Sequence, residues 1–278
     1  MPRFLKRQRG ERWPLRQAPA RSWKGPLWFF AASHKAGTNL LFSLASIQAS
    51  TLGLAICSGT CGANLYFGKV CEIGESTVSE RTMFYCNTGA ADLEKARKIA
   101  GDQLRAVQIV RDPLAMVVSG YVYDMRQKVD GFHASRSMRR MSLAQGLATE
   151  AEFAVKNVLP QMLNVYRHGQ THGDSLVLRM EDFEASSEKF DETVARLFNY
   201  TMRGLPAFYN RGVLEMMLQS AAKEDIRRNP VPDGLSFVSP VMLKDEAHSA
   251  LSSIPADLLK QLYEYRRELG YPADLPDP

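Results

Sequence analysis

The fold of the chain is decided by residues 27–40, which read LWFFAASHKAGTNL. The apolar run Leu27–Ala32 predicts a buried strand, and a helix is expected to start near Thr38, a residue type that can cap it. A turn at a helix N-terminus presents backbone N–H groups and a positive dipole end, which suits a phosphate. Lys35 adds a positive charge there, and Gly37 lets the backbone approach a ligand closely. The segment therefore predicts a strand, a phosphate-binding loop and a helix.

A second strand end carries an arginine. The near-continuous apolar run Leu104–Val110 predicts another buried strand. It ends at Arg111-Asp112-Pro113, where Pro113 suits the first turn of a helix that carries Ser119. The forked guanidinium of Arg111 is suited to phosphate oxygens. The residues alone leave two interpretations of this strand end open, a phosphate contact or a solvated Arg-Asp pair.

Apolar strands alternate with helical segments along the chain. This alternation predicts an α/β fold with a central parallel β-sheet that is flanked by helices on both faces. Further strands are predicted at Leu52–Cys57, Met83–Cys86 and Ser175–Leu178. Residues 127–149 are expected to form a mobile connection, and residues 226–246 a loop.

The charge of the chain is concentrated at its start. Of 35 basic and 30 acidic residues, residues 1–26 hold eight basic ones and one acid, which leaves 27 basic and 29 acidic residues in the rest. The body is therefore nearly neutral, and no nucleic-acid partner is expected. We predict a flexible basic arm over 1–26 and a single domain over 27–278. With 278 residues and 45% apolar content, collagen-like, disulfide-scaffold and disordered classes are excluded.

The sequence predicts a cytoplasmic protein without a stable membrane span, although targeting to an organelle by the basic arm stays open. The stretch Leu40–Cys57 is long enough for a membrane helix, but it is too polar and divides better into a helix and a strand. The cysteines lack CxxC spacing and are expected to be reduced thiols. They are Cys57, Cys61, Cys71 and Cys86. The oligomeric state is not predicted.

Together, the two motifs resemble those of the sulfotransferase family, enzymes that use 3′-phosphoadenosine 5′-phosphosulfate (PAPS). SHKAGTNL at 33–40 resembles the family's 5′-phosphosulfate loop, and VQIVRDP at 107–113 with Ser119 resembles its 3′-phosphate motif. LVLRMEDF at 176–183 and the C-terminal segment 258–272 also resemble family segments. The resemblance implies a P-loop NTPase-like sulfotransferase fold, PAPS as co-substrate and adenosine 3′,5′-bisphosphate (PAP) as product.

The resemblance also implies roles for individual residues. Lys35 would bind the 5′-phosphosulfate and stabilise the leaving phosphate, and Arg111 with Ser119 would hold the 3′-phosphate. The backbone amides expected to surround the 5′-phosphate are those of Ala36, Gly37, Thr38 and Asn39. Arg227 or Arg228 would supply a late basic contact to the 3′-phosphate. The acceptor would be a hydroxyl or amine of a small molecule or carbohydrate, and no metal is implied.

The catalytic base is not assigned. Many relatives have a histidine near the strand before the 3′-phosphate motif, whereas residues 84–88 read FYCNT. The candidates for the base are Glu72, Glu75, Asp124 and His133. The remaining histidines, His168, His172 and His248, are expected to lie at the surface or at helix ends.

Two other functions stay open. A P-loop nucleotide kinase or NTPase is disfavoured because the GxxxxGK[ST] pattern is absent and Lys35 precedes Gly37. A non-catalytic PAP-binding module would explain the missing histidine.

Overall fold

A computed structural model describes residues 25–54, 56–58, 69–70, 82–86, 88–126, 135–230 and 241–272. The predicted basic arm therefore lies outside the described residues, apart from its last two positions.

The described residues form a six-stranded sheet in which each pair of neighbouring strands is parallel. Its strands are β1 Leu27–Ala32, β2 Ile56–Ser58, β3 Lys69–Val70, β4 Thr82–Cys86, β5 Leu104–Val110 and β6 Ser175–Arg179. Their spatial order is β3-β2-β4-β1-β5-β6, so β1 lies inside the sheet between β4 and β5. The predicted α/β class with a central parallel sheet is confirmed.

Helices follow most strands. They are α1 Thr38–Leu52, α2 Ala90–Ala100, α3 Pro113–Arg126, α4 Ser135–Met138, α5 Leu143–Phe153, α6 Leu159–His172, α7 Met180–Ala185, α8 Ser187–Met202, α9 Arg211–Ala221, α10 Val241–Ser249 and α11 Ala256–Glu268. A π-helical segment, Ala154–Val158, joins α5 to α6.

Both faces of strand β1 are buried. Trp28 and Phe30 pack in a core with residues of α1, α8 and α9 on one face. Leu27 and Phe29 pack in a second core with residues of α2 on the other face. Successive side chains of a strand point to opposite faces, so an all-apolar strand is stable only where helices cover both sides of the sheet.

The chain divides into two compact units. The first comprises residues 1–110 and 164–230, and contains the sheet. The second comprises residues 111–163 and 231–278, and contains α3, α5, α10 and α11. The predicted single domain over 27–278 stays a prediction.

Residues 127–134 of the predicted connection over 127–149 lie outside the described residues. The prediction is wrong from Ser135 onward, where α4 is followed by α5, which begins at Leu143. A capping box starts this helix: the backbone N–H of Gln145 donates to Ser142 Oγ over 3.3 Å, and Gln145 Oε1 accepts from the Ser142 N–H over 3.0 Å. The predicted loop over 226–246 is likewise wrong at its end, because α10 begins at Val241.

The stretch Leu40–Cys57, which is predicted to divide into a helix and a strand, does so. Helix α1 ends at Leu52, and Gly53 follows with a left-handed φ of 67° that stops the helix. The next strand is Ile56–Ser58, later than the predicted Leu52–Cys57. Within the described part of the chain, no helix combines the length and apolarity needed to cross a bilayer.

Candidate functional site

The loop between β1 and α1 contains an unusual backbone conformation. Lys35 has a φ of 61°, and among the described residues it is the one non-glycine residue with a positive φ. A side chain in this left-handed region costs about 1–2 kcal/mol relative to the right-handed region. Such strain is maintained by the surrounding structure and is concentrated at functional sites. The residue predicted to carry the loop's charge is therefore also the strained residue.

The loop is closed by hydrogen bonds to one carbonyl. Ser33 O accepts the backbone N–H of Ala36 over 3.1 Å and the hydroxyl of Thr38 over 3.1 Å. Of the four amides expected to surround a 5′-phosphate, that of Ala36 thus takes part in closing the loop. The Thr38 hydroxyl is tied to the loop and does not cap the helix.

The N-terminus of α1 has no side-chain cap. Gly37 occupies the N-cap position with a φ of 83°, and its carbonyl accepts the Leu41 N–H over 2.9 Å. Within the described residues no acceptor meets the backbone N–H groups of Gly37, Thr38 and Asn39. Uncapped amides and the positive end of the helix dipole together favour an anion at this position.

Gly37 is enclosed by its neighbours. A Cβ atom at this position would lie 2.7 Å from Met180 Sδ and 3.6 Å from Ile109 Cγ2. Met180 opens α7, and Ile109 pairs with Ala32 where β5 and β1 run side by side. The loop is thus held against the carboxyl ends of the parallel strands, which is the edge where α/β sheets bind ligands.

In the second unit, the segment after β5 is anchored by a buried ion pair. Asp112 Oδ1 accepts the Leu114 N–H over 2.8 Å, and Asp112 Oδ2 accepts Arg266 Nε over 2.8 Å. Arg111 and Asp112 are each 7% exposed, and Arg266 is 1% exposed. The interpretation of Arg111 and Asp112 as a solvated strand end is therefore wrong. Charged groups buried in this way need partners, and Arg266 supplies one to Asp112.

Ser119 lies buried on α3, and helix α5 fixes the position of that helix. A Cβ atom on Gly120 would lie 1.9 Å from Glu150 Oε1, so the Glu150 side chain lies directly over the α3 backbone. Glu150 is 2% exposed. Asp124, a candidate for the base, is also buried on α3. The other candidates, Glu72, Glu75 and His133, lie outside the described residues.

Helix α10 adds two basic residues that sequence reasoning missed. His248 is exposed, as predicted, and partial burial of its ring lowers its pKa, with further lowering by the nearby charges of Lys244 and Arg111. Asp112 and Asp245 act in the opposite direction on the same ring. We call Arg111, Lys244 and His248 the basic corner. No local motif links α10 to Arg111 in the sequence, so only the fold reveals this corner.

Arg227 and Arg228 lie in the first unit and are engaged there. Arg227 donates from Nε to the Glu184 carbonyl over 3.1 Å. Arg228 forms a two-pronged pair with Asp191, with distances of 2.7 Å from Nη1 to Oδ1 and 2.6 Å from Nη2 to Oδ2. A phosphate would have to displace these partners.

Comparisons with known proteins give weak likenesses. No protein-family model matches the chain, and no curated protein matches it. Among solved structures, a mouse sulfotransferase, SULT7A1, complexed with PAP is 13% identical, with a TM-score of 0.47 over 86% of this chain and 84% of that chain. A retinol dehydratase in complex with androsterone and PAP is 14% identical, with a TM-score of 0.43 over 99% and 87%. A retinol dehydratase with retinol and PAP is 13% identical, with a TM-score of 0.42 over 99% and 88%. Likenesses of this strength do not assign a function to the chain.

Proposed function

We propose that the chain is a PAPS-dependent sulfotransferase, which moves a sulfuryl group from PAPS to a hydroxyl or amine of a small-molecule or carbohydrate acceptor. The observation that carries the proposal is the loop after β1, where the left-handed Lys35 precedes the uncapped N-terminus of α1. Its backbone donors and its cation suit a phosphosulfate group.

The 5′ end of PAPS would lie in this loop. The acceptor oxygen or nitrogen forms a bond to sulfur while the bond from sulfur to the bridging oxygen breaks, and the electron pair of that bond stays on the 5′-phosphate of PAP. The Lys35 ammonium and the amides of Gly37, Thr38 and Asn39 stabilise the developing negative charge. One such donor contributes about 3 kcal/mol of transition-state stabilisation, if it acts like one oxyanion-hole donor. The acceptor's proton passes to a base that is not assigned.

The 3′-phosphate would be held by Arg111 and Ser119. Lys244 strengthens this part of the proposal, because it adds positive charge in the same unit as Arg111, and His248 would add charge there when it is protonated. The ion pair between Asp112 and Arg266 holds the backbone next to Arg111. Arg227 and Arg228 enter the proposal as the weakest contacts, since each guanidinium already has a protein partner.

The basic corner also bears on the alternative functions. ATP has no 3′-phosphate, so a P-loop kinase or NTPase would have no use for Arg111 in this role. The non-catalytic PAP-binding module shares both phosphate contacts with the enzyme and differs only in turnover. A cytoplasmic location stays a prediction from the sequence.

Two measurements test the proposal. Transfer of labelled sulfate from PAPS is followed over a panel of alcohols, phenols, amines and sugars, and PAP binding is measured by isothermal titration calorimetry. Transfer together with PAP binding supports the enzyme. PAP binding without transfer to any acceptor would favour the non-catalytic module, and magnesium-dependent ATP turnover without PAP binding would favour the kinase.

A further inference from the structure

Three potential metal ligands meet between α2 and α6 in the first unit, and the proposed function uses none of them. Glu94 lies on α2, and His168 and His172 lie on α6. One ligand atom from each side chain lies within 4.8 Å of the other two. A search of the described residues for three or more close metal-ligating side chains finds these three.

The geometry of the three side chains is close to that of a metal site. Residues four apart on a helix lie on the same face, and the rings of His168 and His172 have centroids 4.6 Å apart. His168 Nε2 lies 3.3 Å from Glu94 Oε2. Two ligands that are each about 2.0–2.1 Å from a tetrahedral zinc ion lie about 3.3 Å from one another. Small rotations of the exposed His172 ring would complete such a set.

We propose that Glu94, His168 and His172 bind a divalent transition metal ion, with Zn²⁺ as the preferred occupant, and that the ion ties α2 to α6. Two imidazoles and one carboxylate are a known ligand set for zinc, with water in the fourth position. The site stands apart from the sulfotransferase proposal, and either can be wrong without the other.

The surroundings of the three ligands allow an ion to enter. His172 is exposed, and the side chains of Glu94 and His168 are 39% and 20% exposed. Part of each of the three side chains can therefore be reached from solvent.

Arg97 determines how strongly the ion can bind. Its Nε and Nη2 donate to the two carboxylate oxygens of Asp174, each over 2.8 Å. Its Nη1 donates to Glu94 Oε2 over 3.1 Å and contacts His168 Nε2. The guanidinium is rigid, so Nη1 keeps its position as long as the pair with Asp174 holds Arg97. The side chains of Glu94 and His168 would therefore have to turn away from Nη1 to receive an ion. The positive charge of Arg97 opposes the ion, so Arg97→Gln is expected to bind metal more tightly.

The test uses the full chain without a purification tag and treated with a chelator. Zn²⁺ binding is measured by calorimetry, and Co²⁺ serves as a spectroscopic probe. We expect one ion per chain, and a visible Co²⁺ spectrum typical of nitrogen and oxygen ligands. His172→Ala and Glu94→Gln are each expected to weaken binding by at least about tenfold. His248→Ala, which removes a histidine outside the cluster, is expected to leave metal binding unchanged.

Three results would overturn this assignment. They are the absence of stoichiometric binding, equal affinity in the native chain and in both variants, and a thiolate-to-cobalt charge-transfer band, which would place the ion on the cysteines. Since His172 is exposed, its variant is expected to fold, and far-ultraviolet circular dichroism with and without Zn²⁺ verifies this.

Discussion

The loop at 33–39 and the segment at 111–119 are both proposed to bind phosphate, but they are built differently. The loop relies on its backbone: a left-handed Lys35, a left-handed Gly37 and an uncapped helix. The segment relies on buried side chains: Arg111, Ser119, and Asp112 held by Arg266. A backbone site is disturbed mainly by changes in conformation, whereas a side-chain site is disturbed by the loss of charge.

The difference also separates catalysis from binding. The loop would act where negative charge develops during transfer, so its cation should affect turnover. The segment would hold a phosphate whose charge does not change, so its loss should affect affinity in the ground state. Substitutions in the loop and in the segment therefore test whether the loop affects turnover and the segment affects affinity.

The largest effect is expected at the cation of the loop. Lys35→Ala should lower kcat by about 10²–10³-fold, the range measured when one oxyanion donor is removed. Alanine also has a Cβ atom, so the variant keeps the steric cost of the left-handed conformation and loses only the charged part of the side chain. Single-turnover sulfate transfer from PAPS measures the effect. A variant with native kcat and weakened PAP affinity would assign Lys35 to binding alone.

The next effect is expected in the segment. Arg111→Ala should weaken PAP binding by about 10- to 100-fold, because hydrogen bonds to charged groups contribute about 1.5–3 kcal/mol. Calorimetric titration with PAP measures this loss. Adenosine 5′-phosphate, which lacks the 3′-phosphate, is the control ligand and should bind both proteins alike. Unchanged PAP affinity would show that Arg111 does not bind the 3′-phosphate.

A third substitution tests the backbone of the loop. Gly37→Ala should lower the free energy of unfolding by about 1–2 kcal/mol for the left-handed conformation, with a further loss from the contact to Met180. Gly53→Ala is the matched control, because Gly53 has a φ of 67° and nothing within 4 Å of the added Cβ. Urea denaturation of both variants isolates the Met180 contact. Equal losses in the two variants would show that the loop relaxes freely.

A smaller effect should appear on changing the pH. Burial and the nearby charges of Lys244 and Arg111 lower the pKa of His248 below its ordinary 6.5, and a bound 3′-phosphate would raise it again. The ring then takes up a proton on binding, so affinity for PAP should increase as the pH falls below neutral and should level off only below the lowered pKa of the free protein. His248→Asn should abolish the part of this increase that titrates with the ring. Parallel pH profiles for PAP in the native chain and the variant would contradict the proposed basic corner.

The smallest effect is expected at the engaged arginines. Arg228→Ala should weaken PAP binding by less than about threefold, because its guanidinium is paired with Asp191. The same PAP titration measures this change. A loss comparable to that of Arg111→Ala would show that the pair with Asp191 opens to receive the nucleotide.

Sequence patterns predicted the elements next to both proposed phosphate sites well. Strand β1 matches the predicted Leu27–Ala32, and β5 matches Leu104–Val110. These strands are apolar without interruption and end at abrupt polar turns, so their limits are local properties. The helix at Pro113 was also predicted, because proline favours the first helical turn.

Helix α5 carries a sequence signal that was missed, the spacing of Ser142 and Gln145 in a capping box. Other features could not be predicted from the sequence. The pairing of Asp112 with Arg266 joins distant parts of the chain, and the charge of Arg111 acts on His248, which also lies far away in the sequence. Tertiary packing creates these interactions, and no local pattern specifies them. The positive φ of Lys35 is likewise imposed by the fold, because lysine has no preference for it.

The left-handed backbone at Lys35 has a consequence for engineering. Glycine adopts this conformation without steric cost, so Lys35→Gly would relieve strain while removing the proposed leaving-group cation. Selection for thermal stability alone would favour glycine at position 35, and the selected variants would lack the side chain proposed to support turnover. Selection for stability and selection for activity therefore favour different residues at position 35.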